Sequence, residues 1–228
     1  MRLGDSADVY VGHSQSFDGS NSTVRYSNIE TCKSSHFCAV CQHTKLAKRS
    51  RLIADAIKGE DIYMATLTVP HKFGSGLKNT LDALRDGFKN WKRILDRKHG
   101  IELSYIRRLE VTFTRENGWH PHYHVLVKGK LHESLRWIMS NAWIDAFNSI
   151  EWDTPHHIYG INLLEFTNEG AAVDYVSKAA GYEISGTNKA SIDYFRILDQ
   201  RWPEKWQYLA EYAEVMGGQR LHLSLIHI

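Results

Sequence analysis

The stretch "NGWHPHYHVLV" (residues 117–127) places histidine at positions 120, 122 and 124, three of the 13 in the chain. Successive side chains of a β-strand point to opposite faces, so these three imidazoles project on one side. Leucine or valine there would make an ordinary core face. Imidazoles must instead be solvated, hydrogen-bonded or bound to a metal, and spacing alone leaves both a polar patch on an exposed sheet face and a metal site open.

The preceding stretch, "LSYIRRLEVTFT" (103–114), reads as a partner strand, and the loop between the two decides which side chains meet. A two-residue turn at Asn117-Gly118 sets Glu110 off the histidine face. A loop of Glu116-Asn117-Gly118, with Gly118 left-handed in a bulge, sets Thr112 opposite His122 and Glu110 opposite His124. A five-residue loop gives the same register. Only these registers bring a carboxylate to the imidazoles, and they also explain Gly118, because glycine takes positive φ at no steric cost. His122, His124 and Glu110 then make an open site with room for a substrate oxygen and water, suited to Mg²⁺ or Mn²⁺. A closed zinc site would require four protein ligands.

The wider composition is that of a globular protein, with 43% hydrophobic and 24% charged residues among 228 and a net charge of +2. No run reaches the 18 apolar residues of a spanning helix, and the N-terminus lacks an apolar signal region, so no membrane partner is expected. Three cysteines within ten positions suit a metal site in a reducing cytoplasm better than a disulfide framework.

Outward from the histidine strand, Leu77, Leu81, Leu84, Phe88, Trp91 and Leu95 follow a 4-3-4-3-4 spacing that predicts a helix over 77–97. "DIYMATLTVPH" (61–71) and "YGINLLEF" (159–166) read as strands. Residues 44–58, 131–149 and 169–183 read as helices, and residues 1–31 as largely irregular. The order predicts an α+β fold, an antiparallel, ferredoxin- or RRM-like sheet with helices on one face.

Four segments carry a family resemblance. "GWHPHYHVLV" resembles the histidine–hydrophobic–histidine motif of the rolling-circle replication initiators, within the HUH endonuclease superfamily. "TLTVPH" (66–71) is similar to their threonine-containing first motif, "IRRLEVTF" to the strand carrying the acidic residue, and "DYVSK" (174–178) to their Tyr-x-x-Lys motif. The likeness runs over roughly residues 30–185, in the same order, with the plasmid-type initiators of bacteria the most similar in appearance.

The resemblance implies an HUH endonuclease fold in which Tyr175 attacks a DNA phosphate. That attack would leave a 5′-phosphotyrosine link and a free 3′-hydroxyl, with Lys178 on the same helix face supplying positive charge. The divalent ion would sit on His122, His124 and Glu110, with His120 secondary and Tyr182, seven residues after Tyr175, a second candidate nucleophile. The implied partners are single-stranded or extruded origin DNA, with host helicase and polymerase, in a bacterial cytoplasm. One position departs from the pattern. Where some plasmid initiators carry a water-activating glutamate four residues before the tyrosine, this chain has Ala171, with Glu169 and Asp174 nearby.

"CKSSHFCAVCQH" (32–43) is similar to a cysteine-rich segment of the same initiators. Cys32, Cys38 and Cys41, with His36, His43 or a residue further upstream as fourth ligand, would hold a structural Zn²⁺. Lys45, Lys48, Arg49 and Arg51 on the following basic helix would contact phosphates. The tail "LSLIHI" (223–228) resembles the translation of a sequencing-library adaptor and is set aside from fold reasoning, with a missing C-terminal region expected. The domains then read as a cysteine-bearing segment (1–58), the endonuclease domain (59–200) and a truncated C-terminal region (201–228). A single-tyrosine transposase or relaxase, or a non-catalytic zinc-containing DNA-binding protein, are the alternatives.

Overall fold

The structure, a computed structural model, describes residues 10–15, 22–27, 37–38, 41, 52–71, 74–166, 171–172, 197–198, 200–217 and 222–225. The chain divides into two compact units, residues 1–45 and 46–228. In the first, β1 (Tyr10–Gln15) and β2 (Ser22–Ser27) form a two-stranded antiparallel sheet with Tyr10 opposite Ser27. This corrects the irregular reading of residues 1–31. Tyr10, Val11, Thr23, Val24 and Tyr26 favour strands and flank the turn-forming run Asp18-Gly19-Ser20-Asn21, but interspersed serine, glycine and arginine obscure any alternation.

The second unit is built on a five-stranded antiparallel sheet of β3 (Ile62–Thr68), β4 (Tyr105–Thr114), β5 (Gly118–Lys128), β6 (Ile161–Glu165) and β7 (His222–Leu225). Its order is β6-β3-β5-β4-β7, which puts the histidine strand β5 at the centre. The α+β reading with an antiparallel sheet holds. Residues His222–Leu225, mostly set aside as tail, pair with β4 so that Tyr105 lies opposite Leu225.

One face of the sheet rests on three helices, α2 (Leu77–His99), α3 (Glu133–Asp145) and α4 (Lys205–Met216). The six-residue apolar stripe of α2 is buried along its whole length. Phe88 packs edge-on to both Tyr105 and Tyr123, and Trp91 edge-on to Trp143 of α3. Burying each such side chain contributes about 1.5–3 kcal/mol. Gly100 ends α2 in the left-handed conformation (φ 63°), as the sequence Lys98-His99-Gly100 suggests.

Helix α4 lies beyond residue 200, where the sequence reading closed the domain. Its Leu209, Tyr212 and Met216 are buried, at a 3-4 spacing that the sequence does display. Tyr208 packs on Phe113, and Tyr212 on Trp119. The Glu211 carboxylate accepts from the Trp119 indole at 2.7 Å and from the Leu77 backbone N–H at 2.6 Å. It therefore caps α2 in place of the side-chain cap that Gly76 cannot supply.

The other face is split. Its lower half is apolar, Ile62, Met64, Ile106 and Leu126, and is covered by Ile53 and Ile57 of a helix at 52–57 (α1) together with Ala172. Its upper half carries the histidines. Helices thus pack on both faces, not on one as expected, because α1 and the segment at Ala172 cover only the part of this face that is apolar.

Gly87 of α2 faces Trp143 of α3 and Phe147 just beyond it. A Cβ there would lie 2.7 Å from Phe147 Cε2 and 3.2 Å from the Trp143 ring, both of them buried. Overpacking of this kind costs about 1–3 kcal/mol, against about 1 kcal/mol that alanine contributes through helix propensity. Gly87→Ala is expected to lower the chemical-denaturation midpoint. An unchanged or raised midpoint would show that Phe147 can move aside.

Candidate metal centre

The β4–β5 hairpin builds the site. Its loop is Arg115-Glu116-Asn117, with Thr114 paired to Gly118, whose φ is 77°. The Asn117 backbone N–H donates to the Thr114 hydroxyl at 3.0 Å and closes the turn. Glu110 therefore stands opposite His122, Thr112 opposite His120 and Arg108 opposite His124. This corrects the expected pairing of Glu110 with His124 by two residues. The loop starts one residue earlier, because left-handed Gly118 can serve as the last ladder position. A two-residue slip leaves every side chain on its original face, so the carboxylate still meets the imidazoles.

The three donor atoms converge. Glu110 Oε2 lies 2.7 Å from His124 Nε2 and 3.1 Å from His122 Nε2, and the two imidazole nitrogens are 3.1 Å apart. His124 is buried and Glu110 and His122 are partly so. Burial disfavours a charged carboxylate, but hydrogen bonds and charge from His122 and His124 overcome it and hold Glu110 well below the usual carboxylate range. Burial pushes His124 down, towards the neutral ring, against the opposing pull of Glu110.

The outer nitrogens decide what the inner ones offer. His122 Nδ1 lies 3.3 Å from the His120 carbonyl, which can only accept, so Nδ1 is a donor there, and in the neutral ring Nε2 is the nitrogen left to bind a cation. His124 Nδ1 lies 3.2 Å from Thr66 Oγ1, a hydroxyl able to serve either tautomer. With Nδ1 protonated, two imidazole lone pairs and a carboxylate face one point, an arrangement that a cation relieves. The geometry fits. Cis ligands at about 2.1 Å around an octahedral ion are about 3.0 Å apart, close to the observed triangle. One protein face of an octahedron leaves three positions for substrate oxygen and water.

His120 stands apart from this group. Its ring stacks on His71, centroids 4.3 Å apart, and burial followed by the neighbouring His122 pulls its pKa down to about 3. A neutral ring stacked on another is a packing element beside the site. Thr66 and His71 are the contributors that residue type did not single out. Both lie in "TLTVPH", and Thr66 faces His124 across the β3–β5 ladder.

The remaining site expectations fall largely outside the described residues. Tyr175, Lys178, Tyr182, Cys32, His36, His43, Lys45, Lys48, Arg49 and Arg51 are among those not described. Cys38 is half-buried and Cys41 buried. Ala171 and Ala172 are helical, and Ala172 packs into the apolar half of the histidine-bearing face.

Replacing His122 or His124 by alanine should abolish Mn²⁺ binding measured by isothermal titration calorimetry. Thr66→Val, which removes an outer partner, should weaken it about 10- to 100-fold. His120→Ala should leave it nearly unchanged, and equal losses at all three histidines would contradict the ligand set.

The chain matches a family model described as replication protein (Rep_1) over residues 23–151, more than half its length. That span includes Glu110, His122 and His124 and stops before β6. No curated protein and no solved structure matches. Sheet, hairpin and match agree, and the chain belongs to the Rep_1 family of replication proteins, the rolling-circle plasmid initiators.

Proposed function

We propose that this replication protein starts rolling-circle replication by nicking one strand of plasmid origin DNA through a tyrosine ester. The observation that carries the reading is the convergence of Glu110, His122 and His124 on one point of the polar half of the sheet face. Two imidazoles among the ligands favour Mn²⁺ over Mg²⁺, although either fits three open positions. A divalent ion held there supplies a Lewis acid that polarises the scissile phosphate.

The protein's own contribution is placement. Ala172 is packed on the histidine-bearing face, and on the helix expected from the sequence over 169–183 Tyr175 would follow it by three residues, close to one turn. The Tyr175 oxygen would attack phosphorus, form the phosphotyrosine bond at the 5′ side and expel the 3′-oxygen, which takes up the phenol's proton. A phenol near pKa 10 needs help to ionise, and Lys178 would stabilise the phenolate or hold the phosphate. With alanine at 171, a water-activating carboxylate for termination would have to come from Glu169 or Asp174. The free 3′-hydroxyl would prime a host polymerase, with a host helicase opening the duplex. Among the described residues no helix is long and apolar enough to cross a membrane.

Cys38-x-x-Cys41, with Cys32 and His36, would hold a structural zinc ahead of the basic residues Lys45, Lys48, Arg49 and Arg51. Elemental analysis of protein purified without chelator should then give one zinc per chain, lost on Cys38→Ser. A zinc-free wild type would remove this site from the reading.

On a denaturing gel with labelled origin oligonucleotides and Mn²⁺, the wild type should form a covalent protein–DNA band. Tyr175→Phe should abolish it while DNA binding persists. A band that survives in this variant transfers the nucleophile's role to Tyr182. No band from the wild type, with binding retained, would favour a DNA-binding protein without nicking activity.

A further inference from the structure

We propose that the 153–160 loop and the recess beside it form a subsite for an unpaired base of the DNA strand next to the metal centre. The proposal rests on the single-strand nicking reading and names where that strand is held.

Tyr159 is 76% exposed and Ile158 60%, an unusual placement for large apolar side chains on a well-anchored loop. His156 stacks with His157 at 4.3 Å and with Tyr159 at 5.1 Å, the planes within 30° of parallel (26° and 29°). The backbone beneath these rings is fixed. The Gly160 N–H donates to the His156 carbonyl at 2.7 Å, and the Thr68 N–H to the Gly160 carbonyl at 2.8 Å. A Cβ on Gly160 would lie 2.5 Å from Pro155 Cβ, so only glycine lets the loop close down on buried Pro155. Rings held ready in this way lose little conformational entropy on binding.

The loop is tied to the candidate metal centre by β3. The Thr68 hydroxyl donates to the Tyr159 carbonyl at 2.8 Å, and Thr68 is the direct cross-strand partner of His122. Beside Tyr159 lies a recess of about 410 Å³ whose polar lining includes Arg136, Ser140 and Asn162. Asn162 is the cross-strand partner of Thr66, the residue in contact with His124. The two threonines that pair with the histidine ligands therefore lie between those ligands and this edge of the sheet, while Arg136 and Ser140 reach the recess from α3 on the helical face. A flat aromatic face, a guanidinium, an amide and a hydroxyl at the β6 edge, separated from the histidine strand by β3, match a nucleobase of a strand that passes round that edge. Paired bases in a duplex are stacked on one another and cannot offer a face to the ring, so the occupant is a single strand.

The test uses the full chain and fluorescein-labelled (dT)30, since stacking tolerates any base. Tyr159→Ala should weaken single-strand binding about 5- to 100-fold by fluorescence anisotropy, the range found when a base-stacking aromatic is removed. Tyr159→Phe should restore it. Mn²⁺ affinity and thermal midpoint should stay at wild-type values, which separates the effect from misfolding. An alanine variant that binds (dT)30 as tightly as wild type overturns the subsite, while wild-type nicking of origin oligonucleotides would leave the nicking reading intact. A shift in oligomeric state on Tyr159→Ala with no change in DNA binding also overturns it, in favour of a protein contact. Conversely, a Tyr159-dependent loss of binding in a protein that never nicks upholds the subsite and removes the endonuclease.

Discussion

Three electron-pair donors held within about 3 Å of one another repel unless a proton or a cation lies between them, and that constraint organises this protein. Glu110, His122 and His124 are brought to this spacing by the β4–β5 ladder. Their positions are not adjustable one at a time. The hairpin loop sets the register, the register sets which side chains face one another, and any odd slip would move the carboxylate to the opposite face. The outer nitrogen of each histidine is held by the His120 carbonyl or the Thr66 hydroxyl, so ring orientation is decided by the same sheet. A rigid scaffold is the condition for such a site to bind an ion instead of relaxing apart.

The rest of the fold supplies that rigidity from the far side of the sheet. The indoles of Trp91, Trp143 and Trp152 donate to the carbonyls of Met139, Thr68 and Pro70. Two of these bonds fasten the end of β3 that passes beside the metal ligands. Arg107, on the helical face, lies over the rings of Phe88 and Tyr123, within 4.4 Å and 4.2 Å of their centroids, so a cation inside the helical layer is held by aromatic faces. Glu211 joins α4 to both α2 and the start of β5 through two hydrogen bonds. The C-terminal helix is therefore part of what holds the hairpin in place.

The histidine-bearing face divides its labour along the strands. Ile62, Met64, Ile106 and Leu126 bury against Ile53, Ile57 and Ala172, whereas the polar half carries Glu110, His122 and His124. The donor triangle lies on the polar half of this face, and Ala172 packs against the apolar half.

Much of this was legible in local patterns. Period two along β5 put three imidazoles on one face, and the 4-3-4-3-4 stripe of α2 came out buried in full, because both signals depend only on neighbouring backbone geometry. Gly118 announced its left-handed turn. Parity tied the carboxylate's face to the loop length, but not its cross-strand partner. Loops beginning at Arg115 or at Glu116 have the same parity, and only packing and hydrogen bonding in the folded hairpin chose between them. Thr66 and His71 stayed out of the site for a similar reason, since their neighbours lie some fifty residues away in sequence. The β1–β2 pair and α4 carried weak but readable signals. What the chain by itself determined was the direction each side chain faces within its element. Tertiary structure decided which elements meet, and hence which of those side chains share a site, because that choice depends on contacts between distant segments that no local period encodes.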